Sequence, residues 1–256
     1  MQNNKFSGLF IGQSLITIKE VTSTNDFLKD LVSNSKPLIE GTVIMAENQI
    51  AGRGQYQNVW HAEPGKNLTF SLLLKPSFLP LTDQFDLIRV VSLGIYDTLE
   101  PLLANKLKIK WPNDIYYNDK KLGGMLIENL VQAGRIKNSI IGIGLNINQE
   151  KFPKNVCNAI SLKQILQADY DLKALMFNIC QNIEAIYLNL KAGKISFVRK
   201  TYLSRLYWLN EIKSFKTLQG VFKGSIIGVK DNGLLIVQHN KDILEFSLKE
   251  IEFLNN

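Results

Sequence analysis

The 256-residue sequence predicts an α+β protein with a large mixed unit followed by a small all-β unit. Up to about residue 206, segments with helical spacing of apolar residues are interspersed with short apolar runs typical of strands. After Asn210 the pattern changes to short, closely spaced strands separated by turn residues. We therefore expect one domain at residues 1–210 and a small β-barrel at residues 211–256.

The first helix is predicted to begin in the Ser-Thr-Asn-Asp segment at 23–26, where Ser23 or Thr24 can cap free backbone N–H groups. Residues 42–46 are typical of an apolar strand. Residues 47–66 are polar, rich in Gly, Gln and Asn, and follow neither the helical nor the strand period. A loop of this length in a compact domain is usually functional or disordered.

The remaining elements follow from the same periodicities. Amphipathic segments predict helices at 85–103 and from 171 to about 206. An Asn-Asp-Lys-Lys turn at 118–121 predicts a hairpin between its flanking strands. The predicted strands of the large unit are 67–74, 107–111, 115–117, 125–131 and 139–147, and those of the small unit are 212–217, 220–227, 234–238 and 243–247.

Composition narrows the class of protein. No apolar run reaches the roughly 18 residues of a membrane span, and the N-terminus lacks the order of a signal peptide, so we expect a cytoplasmic protein. Cys157 and Cys180 are expected to be reduced, buried thiols. The net charge is +7, but Lys and Arg are spread along the chain, which favours a general attraction for anionic partners over a DNA footprint.

Two segments of the large unit carry candidate chemistry. In the long loop, glycines flank Arg53, so the backbone can approach a ligand while the guanidinium offers a donor fork to carboxylate or phosphate. An ordinary exposed glycine-rich loop would carry the same residues. The second segment is Lys-Trp-Pro-Asn-Asp at 110–114, where Pro112 ends the strand. An Asn-Asp turn explains that end, but not the hairpin that returns Lys121 to it.

Five short motifs occur in order: Ser-Thr-Asn at 23–25, Gln-x-Ala-Gly-Arg-Gly at 49–54, Lys-Trp-Pro-Asn-Asp at 110–114, Lys-Leu-Gly-Gly at 121–124 and Gly-x-Gly-x-Asn-x-Asn at 142–148. The last fails as a dinucleotide fingerprint, because no helix follows it. Together the motifs resemble the biotin protein ligases over nearly the whole chain. The resemblance implies a mixed-sheet catalytic domain of the biotin/lipoate ligase type, with helices on one side, and a C-terminal SH3-like β-barrel.

The resemblance also implies a two-step reaction. The biotin carboxylate attacks the α-phosphate of ATP and gives biotinyl-5′-AMP and pyrophosphate. A lysine ε-amine of an apo biotin carboxyl carrier protein or domain then attacks the mixed anhydride and releases AMP. The implied requirements are biotin and ATP as substrates and Mg²⁺ as the metal, and the protein is expected to be a monomer or a homodimer.

The family pattern assigns roles to individual residues. Lys121 is expected near the biotin carboxylate and the α-phosphate as the main electrostatic catalyst, and Arg53 is expected to hold a mobile loop over the ligands. Asp114 either binds Mg²⁺, directly or through water, or deprotonates the incoming lysine. Lys110 contacts phosphate, orients Asp114 or is a solvated strand-end lysine. The implied biotin-binding residues are Ser23, Thr24, Asn25, Gln49, Arg53, Gly54, Gln55, Lys121, Gly123, Gly124 and Gly142. The implied ATP-binding residues are Trp60, Lys110, Asn113, Asp114, Lys121 and Asn146.

The sequence departs from the family in two places. Tyr56 and Gln57 stand where many members carry a further arginine and a glycine, which indicates either a weaker phosphate contact or neutral drift in an exposed loop. Roughly 20 residues precede Ser23, too few for the DNA-binding domain that some members carry, so we expect no direct DNA binding.

Two alternative functions remain. A lipoate or octanoate ligase on a related fold would carry an Arg-Arg-x-Ser-Gly-Gly-Gly loop, which this sequence lacks. A non-catalytic biotin-binding sensor is the other alternative; Tyr56 and Gln57 favour it, and Lys121 argues against it.

Overall fold

The computed structural model describes residues 8–34, 37–55, 58–154, 156 and 158–254, and within them it confirms the α+β class. Their elements, in chain order, are β1 (Leu15–Val21), α1 (Thr24–Asn34), β2 (Val43–Gln49), β3 (Leu68–Leu74), α2 (Phe85–Leu103), β4 (Leu107–Lys110), β5 (Asp114–Tyr117), β6 (Lys120–Gln132), β7 (Arg135–Leu145), α3 (Leu162–Leu166), α4 (Leu172–Lys191), α5 (Ile195–Ser204), β8 (Ile212–Thr217), β9 (Gly220–Val229), β10 (Leu235–His239), β11 (Asp242–Phe246) and β12 (Glu252–Leu254).

The large sheet has seven strands in the described residues, in the order β1-β2-β3-β7-β6-β5-β4. The β1–β2 pair is parallel and the other neighbouring pairs are antiparallel, which confirms a mixed sheet. The predicted hairpin joins β5 to β6, and Asn118 adopts a φ of 51° in its turn. Helix α1 begins as predicted, with the Ser23 hydroxyl accepting from the Asp26 backbone N–H at 3.4 Å.

The placement of helices needs one correction. Helices α2 and α4 contribute to the main hydrophobic core, together with Val43 and Met45 of β2. The intervening Ile44 belongs to a separate core cluster with Leu28 of α1, and successive side chains of a strand point to opposite faces. Helix α1 therefore covers the face opposite α2 and α4, and the helices are not all on one side of the sheet. The physical reason is that this second face is itself apolar and must be covered.

The small sheet has five antiparallel strands in the order β11-β10-β9-β8-β12, consistent with the expected SH3-like barrel. Its strand β12 was not predicted from the sequence. The inner side chains of the small sheet belong to the same continuous core as those of the large unit, so the two sheets pack directly on each other. The core residues contributed by this sheet and its last turn are Phe215, Ile226, Leu235, Val237 and Ile251.

The turn between β9 and β10 is seated on the large unit. Arg89 of α2, which is 1% exposed, donates to the carbonyl oxygen of Lys230 at 2.5 Å and to that of Asp231 at 3.1 Å. The indole N–H of Trp111, just after β4, donates to the carbonyl oxygen of Gly233 at 2.9 Å. These bonds fix the turn against the strand end that carries the candidate chemistry.

The cysteine and membrane expectations can be compared with the described residues. Cys180 is a free, fully buried thiol, as expected, and burial raises its pKa to about 12. Cys157 lies outside the described residues. Across the part of the chain that the structure describes, no helix combines the length and apolar character needed to cross a membrane.

Candidate active site

A cavity of about 650 Å³ lies on the sheet face that also carries α1. It is bounded by the start of α1, the loop after β2, the β4–β5 connection, strands β6 and β7, and residues 248–253. The structure thus brings together segments that are far apart in the sequence. The expected site residues that line it are Ser23, Thr24, Asn25, Gln49, Arg53, Gly54, Gln55, Trp60, Lys110, Asn113, Asp114, Lys121, Gly124 and Gly142.

Gly123 and Asn146 are expected site residues that lie outside this lining. A side chain at Gly123 would collide with the carbonyl oxygen of Gly144 and with Leu145, so this glycine lets β6 and β7 pair closely. The Asn146 amide donates to the carbonyl oxygen of Ile160 at 3.3 Å and is buried. Gly123 therefore serves strand pairing, Asn146 ties the end of β7 to Ile160, and neither is among the residues that line this cavity.

Hydrogen bonds between uncharged side chains organise the α1 end of the cavity. The Gln49 side-chain oxygen accepts from the backbone N–H of Thr24 at 2.8 Å and from its hydroxyl at 3.1 Å. The Ser71 hydroxyl lies 2.7 Å from the Thr24 hydroxyl oxygen and 2.6 Å from the side-chain oxygen of Asn25. Ser71 was not predicted as part of the site. It follows Thr69, which lines the cavity, by two residues on the same face of a mostly apolar strand, and a Thr-x-Ser pair alone does not indicate a site.

Two glycines of β7 make room for side chains that reach across the strand. A Cβ at Gly142 would lie 2.5 Å from the side-chain oxygen of Asn25, and one at Gly144 would lie 2.6 Å from the Trp60 ring. The indole of Trp60 therefore rests directly on the strand backbone. Its ring N–H is buried and has no hydrogen-bond partner among the described residues.

Arg53 is held by two carboxylates that sequence reasoning did not assign to the site. Its Nη2 lies 2.6 Å from Asp26 Oδ1 of α1 and 2.8 Å from Glu128 Oε2 of β6. The loop around it closes on itself, because Trp60 donates its backbone N–H to Gly52 at 2.8 Å. The two ion pairs of Arg53 thus hold the loop against α1 and β6. The Tyr56 and Gln57 departures lie outside the described residues.

Lys121 and Asp114 meet at the opposite end of the cavity. Lys121 Nζ lies 2.7 Å from Asp114 Oδ1, and both side chains retain contact with solvent. A Cβ at Gly124 would lie 2.5 Å from Asp114 Oδ1 and 3.5 Å from Lys121 Nζ, so the glycine leaves space for this ion pair. Asn113 lines the cavity, and its side-chain amide donates to the carbonyl oxygen of Met125. The hairpin therefore returns Lys121 to the strand end as the sequence predicts.

Lys110 also points to this end but has different neighbours. Its ammonium lies 4.8 Å from the ring centre of Tyr116 and 5.0 Å from that of Phe253. Burial lowers the pKa of Lys110, while the nearby Asp114 carboxylate opposes that shift. Burial, reinforced by Asp114, raises the pKa of Tyr116.

The C-terminal unit supplies part of the cavity wall, which sequence reasoning missed. Leu248, Lys249, Ile251, Glu252 and Phe253 all line the cavity. These residues form a turn and the short strand β12, and nothing in their local pattern separates them from ordinary barrel residues. Their contribution follows only from how the small sheet packs on the large one.

Comparisons with known proteins give a consistent result. The family model for the biotin/lipoate A/B protein ligase family matches residues 17–146. The bifunctional ligase/repressor BirA of Bacillus subtilis (strain 168) is 31% identical over 245 residues, covering 94% of this chain and 74% of that protein. The biotin--[acetyl-CoA-carboxylase] ligase of Mycobacterium tuberculosis is 29% identical, covering 68% of this chain and 64% of that protein.

The fold agrees with a solved structure in the same group. The biotin protein ligase from Aquifex aeolicus, in complex with biotin and ATP, superimposes with a TM-score of 0.79 at 27% identity. The match covers 95% of this chain and 100% of that chain. Sequence and structure together show that the chain belongs to the biotin/lipoate A/B protein ligase family.

Proposed function

We propose that this protein is an ATP-dependent biotin protein ligase. It activates biotin as biotinyl-5′-AMP and transfers the biotinyl group to a specific lysine of a biotin carboxyl carrier protein or domain. The observation that carries the proposal is a single cavity with an uncharged hydrogen-bonding end and a lysine-rich end. The Mycobacterium tuberculosis and Aquifex aeolicus relatives, which are named biotin ligases, support the same activity.

The uncharged end suits the ureido head of biotin. That head group offers N–H donors and a carbonyl acceptor without net charge, and Ser23, Thr24, Asn25 and Gln49 provide matching hydroxyl and amide groups. These side chains already bond to one another through Gln49 and Ser71, so their orientations are set before a ligand arrives. Preorganised polar groups of this kind lower the entropic cost of binding.

The lysine-rich end suits the first chemical step. A biotin carboxylate oxygen forms a bond to the α-phosphorus of ATP, and the bond from that phosphorus to the pyrophosphate oxygen breaks. Negative charge gathers on the phosphoryl oxygens during this exchange, and Lys121 supplies a fixed positive charge beside them. The Asp114 partner keeps the ammonium in place at 2.7 Å before substrates bind.

In the second step the ε-amine of the acceptor lysine attacks the biotinyl carbonyl carbon, and AMP leaves with the bonding electron pair. The attacking nitrogen must lose a proton, and Asp114 is the carboxylate placed to receive it once substrate phosphates draw Lys121 away. Arg53, fastened to Asp26 and Glu128, holds the loop over the cavity and limits the access of water to the anhydride.

A magnesium ion fits this end only with help from substrate. The described residues contain no group of three or more His, Cys, Asp or Glu side chains that could hold a metal. Mg²⁺ is commonly held by one or two carboxylates together with water and phosphate oxygens, so Asp114 alone satisfies the protein's share. When bound, the ion would supply further positive charge to the triphosphate.

The chain has two units, and its substrate in the second step is another protein. We assign residues 1–210 to the biotin- and ATP-binding domain and residues 211–256 to the small barrel, in line with the two sheets. The acceptor is an apo carrier domain of a biotin-dependent carboxylase, and the net charge of +7 would speed its association if that domain is acidic.

The deciding experiment measures the mass of an apo carrier domain after incubation with the protein, ATP, Mg²⁺ and biotin. We expect the carrier to gain one biotinyl group, and we expect no gain when ATP is omitted. Binding of biotin without any mass gain would instead identify a sensor. A gain with lipoate but not with biotin would identify the related ligase.

A further inference from the structure

Two of the three described lysines that line the cavity, Lys110 and Lys121, differ in their surroundings. Lys121 is ion-paired with Asp114 at 2.7 Å. For Lys110, no carboxylate of the described residues lies within 4.0 Å, the limit for an ion pair. Its ammonium is instead enclosed by two aromatic faces, those of Tyr116 at 4.8 Å and Phe253 at 5.0 Å. Lys110 is therefore held by aromatic rings, and the Asp114 and Glu252 carboxylates attract its charge from beyond ion-pair distance.

This arrangement leaves hydrogen-bonding capacity on Lys110. An ammonium has three N–H donors, and the Tyr116 hydroxyl, 3.2 Å away, accounts for one of them. Aromatic faces attract a cation through their quadrupole and accept no full hydrogen bond. Because Lys110 also lines the cavity, its remaining donors are available to an anion that enters there.

Phe253 is itself rigidly placed. Its ring stacks on Trp208 with centres 5.5 Å apart and meets Phe215 edge-on at 5.3 Å. Strand β12 pairs with β8 in the register Phe253 to Phe215, which fixes the backbone beneath the ring. The aromatic face that meets Lys110 is thus part of the packed core of the small sheet.

The position of Lys110 indicates which anion it meets. The charged groups near the α1 end are Arg53 and the two carboxylates that bind it, Asp26 and Glu128, so the positive charge of Arg53 is already paired. Lys121 lies where carboxylate and α-phosphate would react in the proposed function. A second cation at the same end, packed against Phe253 of β12 and without an ion pair among the described residues, favours the part of the nucleotide with most negative charge. That part is the β,γ-diphosphate, which departs as pyrophosphate.

We propose that Phe253, from the last strand of the small sheet, is a positioning residue that holds the Lys110 ammonium in place to bind the departing pyrophosphate. The identity of the nucleotide rests on the proposed function. The binding of a diphosphate anion by the Lys110–Phe253 pair does not depend on the proposed function. The C-terminal strand thereby takes part in the site through Lys110, without a polar group of its own.

A double-mutant cycle tests the coupling between the two residues. Inorganic pyrophosphate binding is measured by calorimetry for the full-length wild type, Phe253→Leu, Lys110→Met and the double variant. We expect Phe253→Leu to weaken binding about fivefold, because a desolvated cation–π contact of this kind is lost. In the Lys110→Met background the same change should have an effect of less than about twofold.

Controls separate positioning from general packing. Phe253→Tyr keeps the aromatic face and is expected to restore wild-type binding. Phe246→Leu removes another ring of the small sheet, one that stacks on Phe222 at 6.0 Å and does not line the cavity, and should leave binding unchanged. In the adenylation assay, Phe253→Leu should raise the KM for ATP about fivefold with little change in kcat. If Phe253→Leu does not fold, Phe253→Met replaces the ring with flexible apolar bulk.

Three results would overturn the inference: no pyrophosphate binding by the wild type, an equal effect of Phe253→Leu with and without Lys110, or a folded Phe253→Tyr variant as defective as Phe253→Leu. The calorimetry needs neither biotin nor carrier. A protein that shows the coupled pyrophosphate binding but no biotinylation would therefore contradict the proposed function alone.

Discussion

The two ends of the cavity differ in how their polar and charged groups are paired. At the α1 end, hydroxyl and amide groups bond to one another, and the cation Arg53 is matched by the carboxylates of Asp26 and Glu128. At the C-terminal end, Lys121 has a single carboxylate partner and Lys110 is held by aromatic rings. The first end can receive an uncharged polar group at little cost, whereas the second can receive anions. Removing one polar group from each end should therefore produce different defects.

Lys121→Ala should cause the largest effect. It removes the positive charge beside the reacting phosphorus, so we expect adenylate formation to slow about 10²–10³-fold, while biotin affinity changes by less than about threefold. Pyrophosphate release in single turnovers and biotin calorimetry measure the two quantities. Unchanged pyrophosphate release would show that the catalytic role assigned to Lys121 is wrong.

Thr24→Val should act at the other end of the cavity. It preserves the shape of the side chain but removes the hydroxyl that bonds Gln49 and Ser71, and each lost hydrogen bond typically costs about 0.5–1.5 kcal/mol. We expect biotin affinity to fall roughly tenfold and the KM for ATP to remain nearly constant. Ser33→Ala is a matched control on the same helix, because its exposed hydroxyl bonds only within α1. Equal loss in both variants would point to weakening of the helix as a whole.

Arg53→Ala should have an intermediate effect on the loop. Exposed ion pairs contribute about 0.2–1 kcal/mol each, so losing those to Asp26 and Glu128 should loosen the loop severalfold. Chymotrypsin, which does not cut at arginine, should cleave near Trp60 faster in the variant. Biotin with ATP should protect the wild type more strongly than the variant. Identical cleavage of both proteins would show that the ion pairs do not hold the loop.

The smallest expected effect is the pH-dependent contribution of Lys110 to folding stability. Burial lowers its folded-state pKa below the ordinary 10.5. At pH values between the folded-state and unfolded-state pKa of Lys110, the unfolded chain binds more protons than the folded protein. Lys110 therefore destabilises the folded protein most at neutral pH. That stability is regained as pH rises towards 10.5. Lys110→Met should raise the Tm by about 1–3 °C at pH 7, and the gain should shrink by pH 10. A gain that is constant across this range would contradict the burial argument.

The sequence predicted those parts of the molecule that are set by local chemistry. The Pro112 strand end and the Asn118 turn depend on neighbouring residues alone, and both were located correctly. Strand β1 was not recognised, since it lies at the sheet edge and alternates poorly between buried and exposed positions. The opposite placement of α1 could not be read either, because it depends on the order of strands in the sheet.

The missed site residues share a physical reason. Phe253 lines the cavity, and Glu128 and Ser71 contact the lining residues Arg53 and Asn25, through strand register and packing between distant segments that local sequence does not show. Gly123 and Asn146 belong to the recognised motifs but are absent from the lining of this cavity, so their assignment to the ligands stays a prediction.

The seating of the β9–β10 turn has a consequence for how the protein melts. Removing the small sheet would strip the buried Arg89 of its two carbonyl acceptors and Trp111 of the carbonyl of Gly233. Both sheets also contribute to one continuous hydrophobic core, so unfolding either sheet alone would expose apolar surface of the other, and we expect them to unfold together. Calorimetry should therefore record one cooperative transition with equal calorimetric and van't Hoff enthalpies. Thermodynamically, the two sheets are a single unit.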